Sequence, residues 1–133
     1  MNAEQKLKHL CIIKACELGY ASITADPITA ENIDEVWDEL IDIEAHWDAM
    51  YETREGEVET EIPCEHSRHY ESKSVAAQYL DGSWIGWTYW YGGGKHGEPE
   101  AIDSMDSAYD LTCAEEEKLV TVRAFAKTQQ PEN

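Results

Sequence analysis

Three side chains that could hold a metal or act as a nucleophile and a base lie close together in the chain: Cys64, His66 and His69. Thiolate and imidazole groups suit zinc, but structural zinc sites favour paired spacings that are absent here. On a strand, His66 and His69 would point to opposite faces. No third group is evident that would orient a catalytic base. We therefore expect no metal and no cofactor, and a small metal-dependent or thiol enzyme using these residues stays an alternative.

A glycine-rich segment, GGGKHG, runs from Gly92 to Gly97 and has the composition of a phosphate-binding loop. The pattern does not fit, because no serine or threonine follows Lys95 and the glutamates after the loop would repel phosphate. We expect a tight loop between two elements. Such loops often carry contact residues, so Lys95, His96 and the preceding Trp90 form a second candidate contact site.

Acidic residues are concentrated between Glu31 and Glu61, where the sequence has 13 acids and a single base, Arg54. In the first half they follow the outer side of a predicted helix, where like charges at this spacing are destabilising. In the second half every second residue is glutamate, which on a strand places carboxylates about 6.6 Å apart. The carboxylates on the helix and on the strand would lie roughly 6 to 7 Å apart. This distance is comparable with the separation of phosphates along a nucleic-acid strand. The predicted partner-binding residues are Asp34, Glu35, Asp38, Glu39, Asp42, Glu55, Glu57, Glu59 and Glu61.

The whole chain shares this bias, with 28 acidic and 10 basic residues and a net charge of 10 − 28 = −18. Solubility of a small domain asks for roughly 2 to 8 charges. Such a charge repels nucleic acids and anionic membranes, so neither is an expected direct partner, whereas a basic protein surface is. No stretch reaches the length of a membrane span and no signal peptide is evident, so we expect a cytoplasmic protein with reduced cysteines.

Two N-terminal helices are predicted from apolar residues that recur every three or four positions. The first covers about Ala3 to Leu18, with Gly19 as a stop signal. The second covers about Ala30 to Thr53 and is predicted to face the core with a single stripe. That stripe consists of Ile33, Val36, Trp37, Leu40, Ile43, Trp47 and Met50.

An aromatic hairpin is predicted at the centre of the sheet, with Val75–Leu80 paired to Trp84–Tyr91 across Asp81-Gly82. A two-residue turn places Val75 opposite Thr88, on the face away from Trp87. The glutamate-rich strand is predicted to turn Val58, Thr60 and Ile62 inward.

The remaining predicted elements are a short helix after Glu98, including Ile102, Met105 and Tyr109, and a last strand from Lys118 to Lys127. The expected fold is one α+β domain spanning residues 1–133. It has about four antiparallel strands, two N-terminal helices and one short helix before the last strand.

The block from Gly86 to Ile102, GWTYWYGGGKHGEPEAI, with LDGSW before it, resembles small uncharacterised acidic proteins of enterobacterial phages and prophages. The resemblance covers about the C-terminal half and carries no assigned site residues. It implies a setting, because small acidic phage proteins are often inhibitors of host nucleases, restriction enzymes or CRISPR complexes, and several mimic nucleic acids.

These observations together predict a non-enzymatic phage or mobile-element protein of the host cytoplasm. It would bind and inhibit a nucleic-acid-handling host defence complex through an acidic surface. A phage structural or assembly protein, for which the acidity has no special purpose, is a further alternative.

Overall fold

A computed structural model describes residues 1–20, 27–65, 67–92, 99–100, 102, 105–114, 123 and 125. Three helices precede a four-stranded antiparallel sheet with the order β1-β2-β3-β4, which confirms the predicted α+β class. The helices are α1 (Ala3–Glu17), α2 (Ile33–Asp42) and α3 (His46–Thr53). The strands are β1 (Val58–Glu59), β2 (Glu71–Gln78), β3 (Trp84–Tyr91) and β4 (Tyr109–Leu111), with a 3-10 helix at Met105–Ser107 before β4.

Both ends of α1 have regular caps. The Asn2 side chain accepts a hydrogen bond from the Gln5 backbone at 2.8 Å, and the Gln5 side chain accepts one from the Asn2 backbone at 3.0 Å. This reciprocal pair is a capping box. At the C-terminal end, the backbone amides of Gly19 and Tyr20 donate hydrogen bonds to the carbonyls of Cys16 and Ala15, respectively. Gly19 has a φ of 98°. The helix therefore stops at the predicted glycine.

The prediction of one helix from Ala30 to Thr53 is wrong, because the chain turns between α2 and α3 at Glu44. The Glu44 amide donates to the Ile41 carbonyl at 2.9 Å and the Ala45 amide donates to the Leu40 carbonyl at 3.1 Å. This is the Schellman pattern, in which the residue after the C-cap adopts a left-handed conformation. Glu44 does so with a φ of 58°, at a position where glycine is usual. The turn changes the phase of the apolar stripe.

The predicted hairpin is present, but its register differs by one residue. Val75 lies opposite Trp87 rather than Thr88. The reason is a three-residue loop in place of the two-residue turn: the Tyr79 amide donates to the Ser83 carbonyl, and Gly82 has a φ of 90°. A slip of one residue exchanges the two faces of a strand. Val75 therefore shares the buried face with Trp87.

The core lies between the three helices and one face of the sheet. From the sheet it takes alternate residues of β2 and β3, and the Trp87 indole, which is fully buried, donates a hydrogen bond to the Arg54 carbonyl at 2.9 Å. Cys11 of α1 is also fully buried. The other large side chains that are almost completely buried are Leu7, Ile12, Ile33, Leu40, Val75, Ile85 and Ile102.

Two further expectations are wrong at the sheet edges. Val58 and Ile62, predicted to face inward, are 47% and 40% exposed, because β1 is a two-residue edge strand. Tyr109, predicted in a helix, begins β4 and pairs with Gly86 of β3. The predicted last strand, 118–127, lies outside the described residues except for Arg123 and Phe125.

Candidate functional site

The predicted acidic face is present on α2. Burial of Ile33, Val36, Trp37 and Leu40 forces the intervening residues toward solvent, since side chains three and four positions apart share a helix face. Half of this ten-residue helix is acidic, and all of those side chains are exposed. They are Asp34, Glu35, Asp38, Glu39 and Asp42. Asp42 lies at the C-terminal end of α2, where the helix macrodipole disfavours a negative charge, and the last turn has no basic residue that would offset it.

One of these carboxylates has a cationic neighbour that the sequence does not reveal. Lys8 of α1 lies 3.3 Å from Asp34 and 3.4 Å from Glu4. Within the described part of the chain, no ion pair or hydrogen bond involves the side chains of Glu35, Asp38, Glu39 or Asp42. We therefore regard these four carboxylates as the main acidic surface. Asp34 lies at the end of this surface and is paired with Lys8.

The glutamate-rich segment is less regular than predicted. Glu57 accepts a hydrogen bond from the Gln78 amide at 3.0 Å, and Glu59 lies 3.8 Å from Lys73. Glu55 and Glu61 are exposed but fall outside the two residues of β1. The row of carboxylates on one long strand is therefore absent from the described residues, and α3 separates this segment from α2 in the chain.

The Cys64 cluster can be followed only in part. The Cys64 thiol is half-buried and donates to the Ser72 hydroxyl at 3.5 Å, while His69 is exposed and its ring lies edge-on to Tyr70. His66 lies outside the described residues. Among the residues that are described, no group of three or more His, Cys, Asp or Glu side chains is arranged to hold a metal ion.

The second candidate contact site is also described only in part, because Lys95 and His96 fall outside the described ranges. Trp90 is half-buried beside a small cavity of about 60 Å³. The other residues lining this cavity are Tyr51, Arg54, Tyr89, Tyr91, Gly92 and Pro99.

A cluster of cations and aromatic rings, which sequence reasoning missed, lies next to this cavity. The Tyr89 and Tyr91 rings stack with centroids 5.1 Å apart, and the Lys73 ammonium lies 5.5 Å and 5.4 Å from them. The Arg54 guanidinium lies 3.5 Å from the centroid of the Tyr51 ring. Cations are attracted to ring faces. The side chains of Arg54 and Lys73, two of the few basic residues, are therefore bound by aromatic rings of the protein itself. The alternation of β3 places Tyr89 and Tyr91 on one face, but no local pattern in the sequence pairs them with Lys73.

Comparison of the chain with protein-family models, with curated proteins and with solved structures finds no match. Within the described residues, none of the helices has the length and apolar character needed to cross a membrane.

Proposed function

We propose that this chain is a non-enzymatic phage or mobile-element protein that binds and inhibits a nucleic-acid-handling defence complex in the host cytoplasm. The observation that supports this best is the exposed acidic surface of α2, four of whose carboxylates have no cationic partner among the described residues. A partner for such a surface carries Lys and Arg side chains, as nucleic-acid-binding grooves do.

The spacing of the carboxylates supports a nucleic-acid mimic. Residues four positions apart on a helix are separated by about 6 Å along its axis, and Glu35 and Glu39 have this spacing. The same is true of Asp38 and Asp42. A row of negative charges carried by a helix can occupy a groove that otherwise holds DNA or RNA. Long-range attraction would speed association, and added salt would weaken it.

The test compares two variants with the same change in net charge. One neutralises the α2 surface with Glu35→Gln, Asp38→Asn and Glu39→Gln, and the other neutralises exposed acids elsewhere with Glu65→Gln, Glu71→Gln and Glu100→Gln. Each tagged protein is purified from host cells, and the captured protein is identified, purified and assayed for its own nucleic-acid activity. We expect the wild type and the second variant to inhibit that activity, the α2 variant to fail, and duplex DNA or RNA to displace the bound protein.

Equal capture and inhibition by the two variants, or a complex that nucleic acid does not displace, would overturn the proposal. Metal analysis of the purified protein addresses the metal-dependent form of the alternative based on Cys64, His66 and His69, because a stoichiometric metal would favour it.

A further inference from the structure

The turn between α2 and α3 carries large apolar side chains that are exposed. We call them the elbow patch: Ile41, Ile43, Trp47 and Tyr51, with exposures of 40, 45, 52 and 45%. Trp47 and Tyr51 are four residues apart on α3 and are therefore neighbours on one helix face. Single exposed apolar residues are ordinary, but a group of them around one turn is typical of contact surfaces.

Backbone geometry shows how the patch is exposed. A helix continuing through Glu44 would have placed Ile43 and Trp47 on the same stripe as the buried Leu40 and Met50. The left-handed conformation of Glu44, which is unfavourable for a residue with a side chain, breaks that stripe and leaves both residues in solvent. Backbone strain of this kind is often found at functional positions. The strained conformation of Glu44 is therefore the feature of the turn that exposes the Trp47 indole.

The charges around the patch indicate what can bind there. Asp42, Glu44, Asp48 and Glu52 are all exposed and lie within five positions of Trp47. A second copy of the chain or a nucleic acid would bring more negative charge to this place. A cationic group would instead be attracted by the carboxylates and by the face of the indole.

The protein already shows the corresponding contact in its own fold. Arg54 lies over the Tyr51 ring at 3.5 Å, so the ring of the patch nearest the end of α3 holds an internal guanidinium. Trp47 is more than half exposed even though the His46 ring lies 4.4 Å from it. Tryptophan is the aromatic residue that attracts cations most strongly.

We propose that the elbow patch binds an arginine side chain of a basic partner protein, with the guanidinium stacked on Trp47 and the neighbouring carboxylates facing its charge. This inference rests on the proposed function, and it adds the chemistry of one contact. Arginine is favoured over lysine because the planar guanidinium stacks on a ring, whereas the ammonium is a compact and strongly hydrated charge.

The probes are fluorescently labelled octa-arginine and octa-lysine peptides, titrated against the full chain at two salt concentrations. We expect the wild type to bind octa-arginine about two- to fivefold more tightly than octa-lysine. Trp47→Ala should remove this preference while binding to octa-lysine persists, and Trp47→Phe should retain part of it. Leu80→Ala is the control, because Leu80 is 69% exposed in the hairpin loop and is not part of the elbow patch. Circular dichroism verifies that each variant is folded.

Equal affinity of the wild type for the two peptides, or an arginine preference that survives in Trp47→Ala, overturns the inference. The α2 variant separates this failure from that of the proposed function. If it loses affinity for both peptides while Trp47→Ala changes nothing, the arginine contact is wrong and the acidic surface stands. If the α2 variant binds both peptides like the wild type, the acidic surface itself is wrong.

Discussion

The Nδ1 atom of His9 lies 2.5 Å from the hydroxyl oxygen of Tyr79, so that α1 is hydrogen-bonded to the start of the hairpin loop 70 positions further along the chain. The two rings meet edge to face with centroids 5.4 Å apart. His9 is buried, and this burial lowers the pKa of its imidazole from the ordinary value of 6.5. The contact joins the helical layer to the sheet, and the burial of His9 makes the stability of the protein sensitive to protonation of the imidazole.

Stability should therefore depend on pH through His9. The pKa of His9 is lower in the folded protein than in the unfolded chain, so the unfolded chain binds more protons. The stability that comes from burying the neutral imidazole is therefore present at higher pH and is lost as the pH falls below about 6.5. We expect the stability advantage of the wild type over His9→Gln to shrink between pH 7.5 and pH 5.5, measured by denaturant unfolding. Tyr79→Phe should keep the pH dependence, since burial and not the hydroxyl causes the shift. A constant difference between the wild type and His9→Gln would contradict this.

Replacement of Glu44 by glycine should stabilise the protein. The left-handed conformation costs a residue with a Cβ atom roughly 1–2 kcal/mol, and glycine adopts it freely. We expect Glu44→Gly to raise the free energy of unfolding by about 1 kcal/mol, measured by urea denaturation. Glu44→Ala separates geometry from charge, because it removes the carboxylate but keeps the Cβ. Glu52→Gly, inside α3, should instead lose about 1 kcal/mol. Destabilisation by Glu44→Gly would show that the turn is not held in this conformation.

Removal of charges from α2 should have unequal effects at two positions one helical turn apart. Asp38 has acidic neighbours at Asp34 and Asp42, so Asp38→Asn should raise the free energy of unfolding by a few tenths of a kcal/mol at low salt. Asp34→Asn removes the same charge but also the contact with Lys8 at 3.3 Å, so its gain should be smaller or absent. Thermal unfolding at 20 mM and 500 mM salt measures both effects. Similar gains for the two variants would mean that the Lys8 contact has no energetic role.

An alanine at Gly86 should weaken the packing of β4 on β3. A Cβ atom at this position would lie 2.7 Å from a ring carbon of Tyr109 and 2.9 Å from a methyl carbon of Leu111. Overpacking of this kind costs about 1–3 kcal/mol. The further loss caused by Gly86→Ala should be smaller in a Tyr109→Ala background, and a double-mutant cycle measures the difference. Strict additivity would mean that Tyr109 does not pack on Gly86.

The helices were predictable wherever their signals were local. Asn2 and Gln5 cap α1, the apolar stripe marks its buried face, and Gly19 marks its end. The end of α2 has the same pattern of hydrogen bonds as the end of α1 but uses Glu44 in place of glycine, so no residue in the sequence indicated it. The apolar stripe therefore predicts a helix that continues through the turn and places Trp47 in the core.

The hairpin was predictable in its existence but not in its register. Asp81-Gly82 fits a two-residue turn, and it also fits a three-residue loop in which glycine takes the left-handed position. The sequence does not choose between them, and the one-residue difference decides which side of Val75 is buried. The contacts of Lys8 with Asp34 and of Lys73 with Tyr89 and Tyr91 join residues distant in the chain. They follow from the packing of the fold and have no local signal.

The burial of Cys11 makes this residue a native probe of transient opening of the core. Burial raises the pKa of its thiol to about 12, so in the native protein it is both shielded and protonated, whereas Cys16 and Cys113 are exposed. An alkylating reagent should therefore modify the exposed thiols promptly and reach Cys11 only when α1 separates from its neighbours. The delay between these two reactions, measured by mass spectrometry, would report how often the core opens.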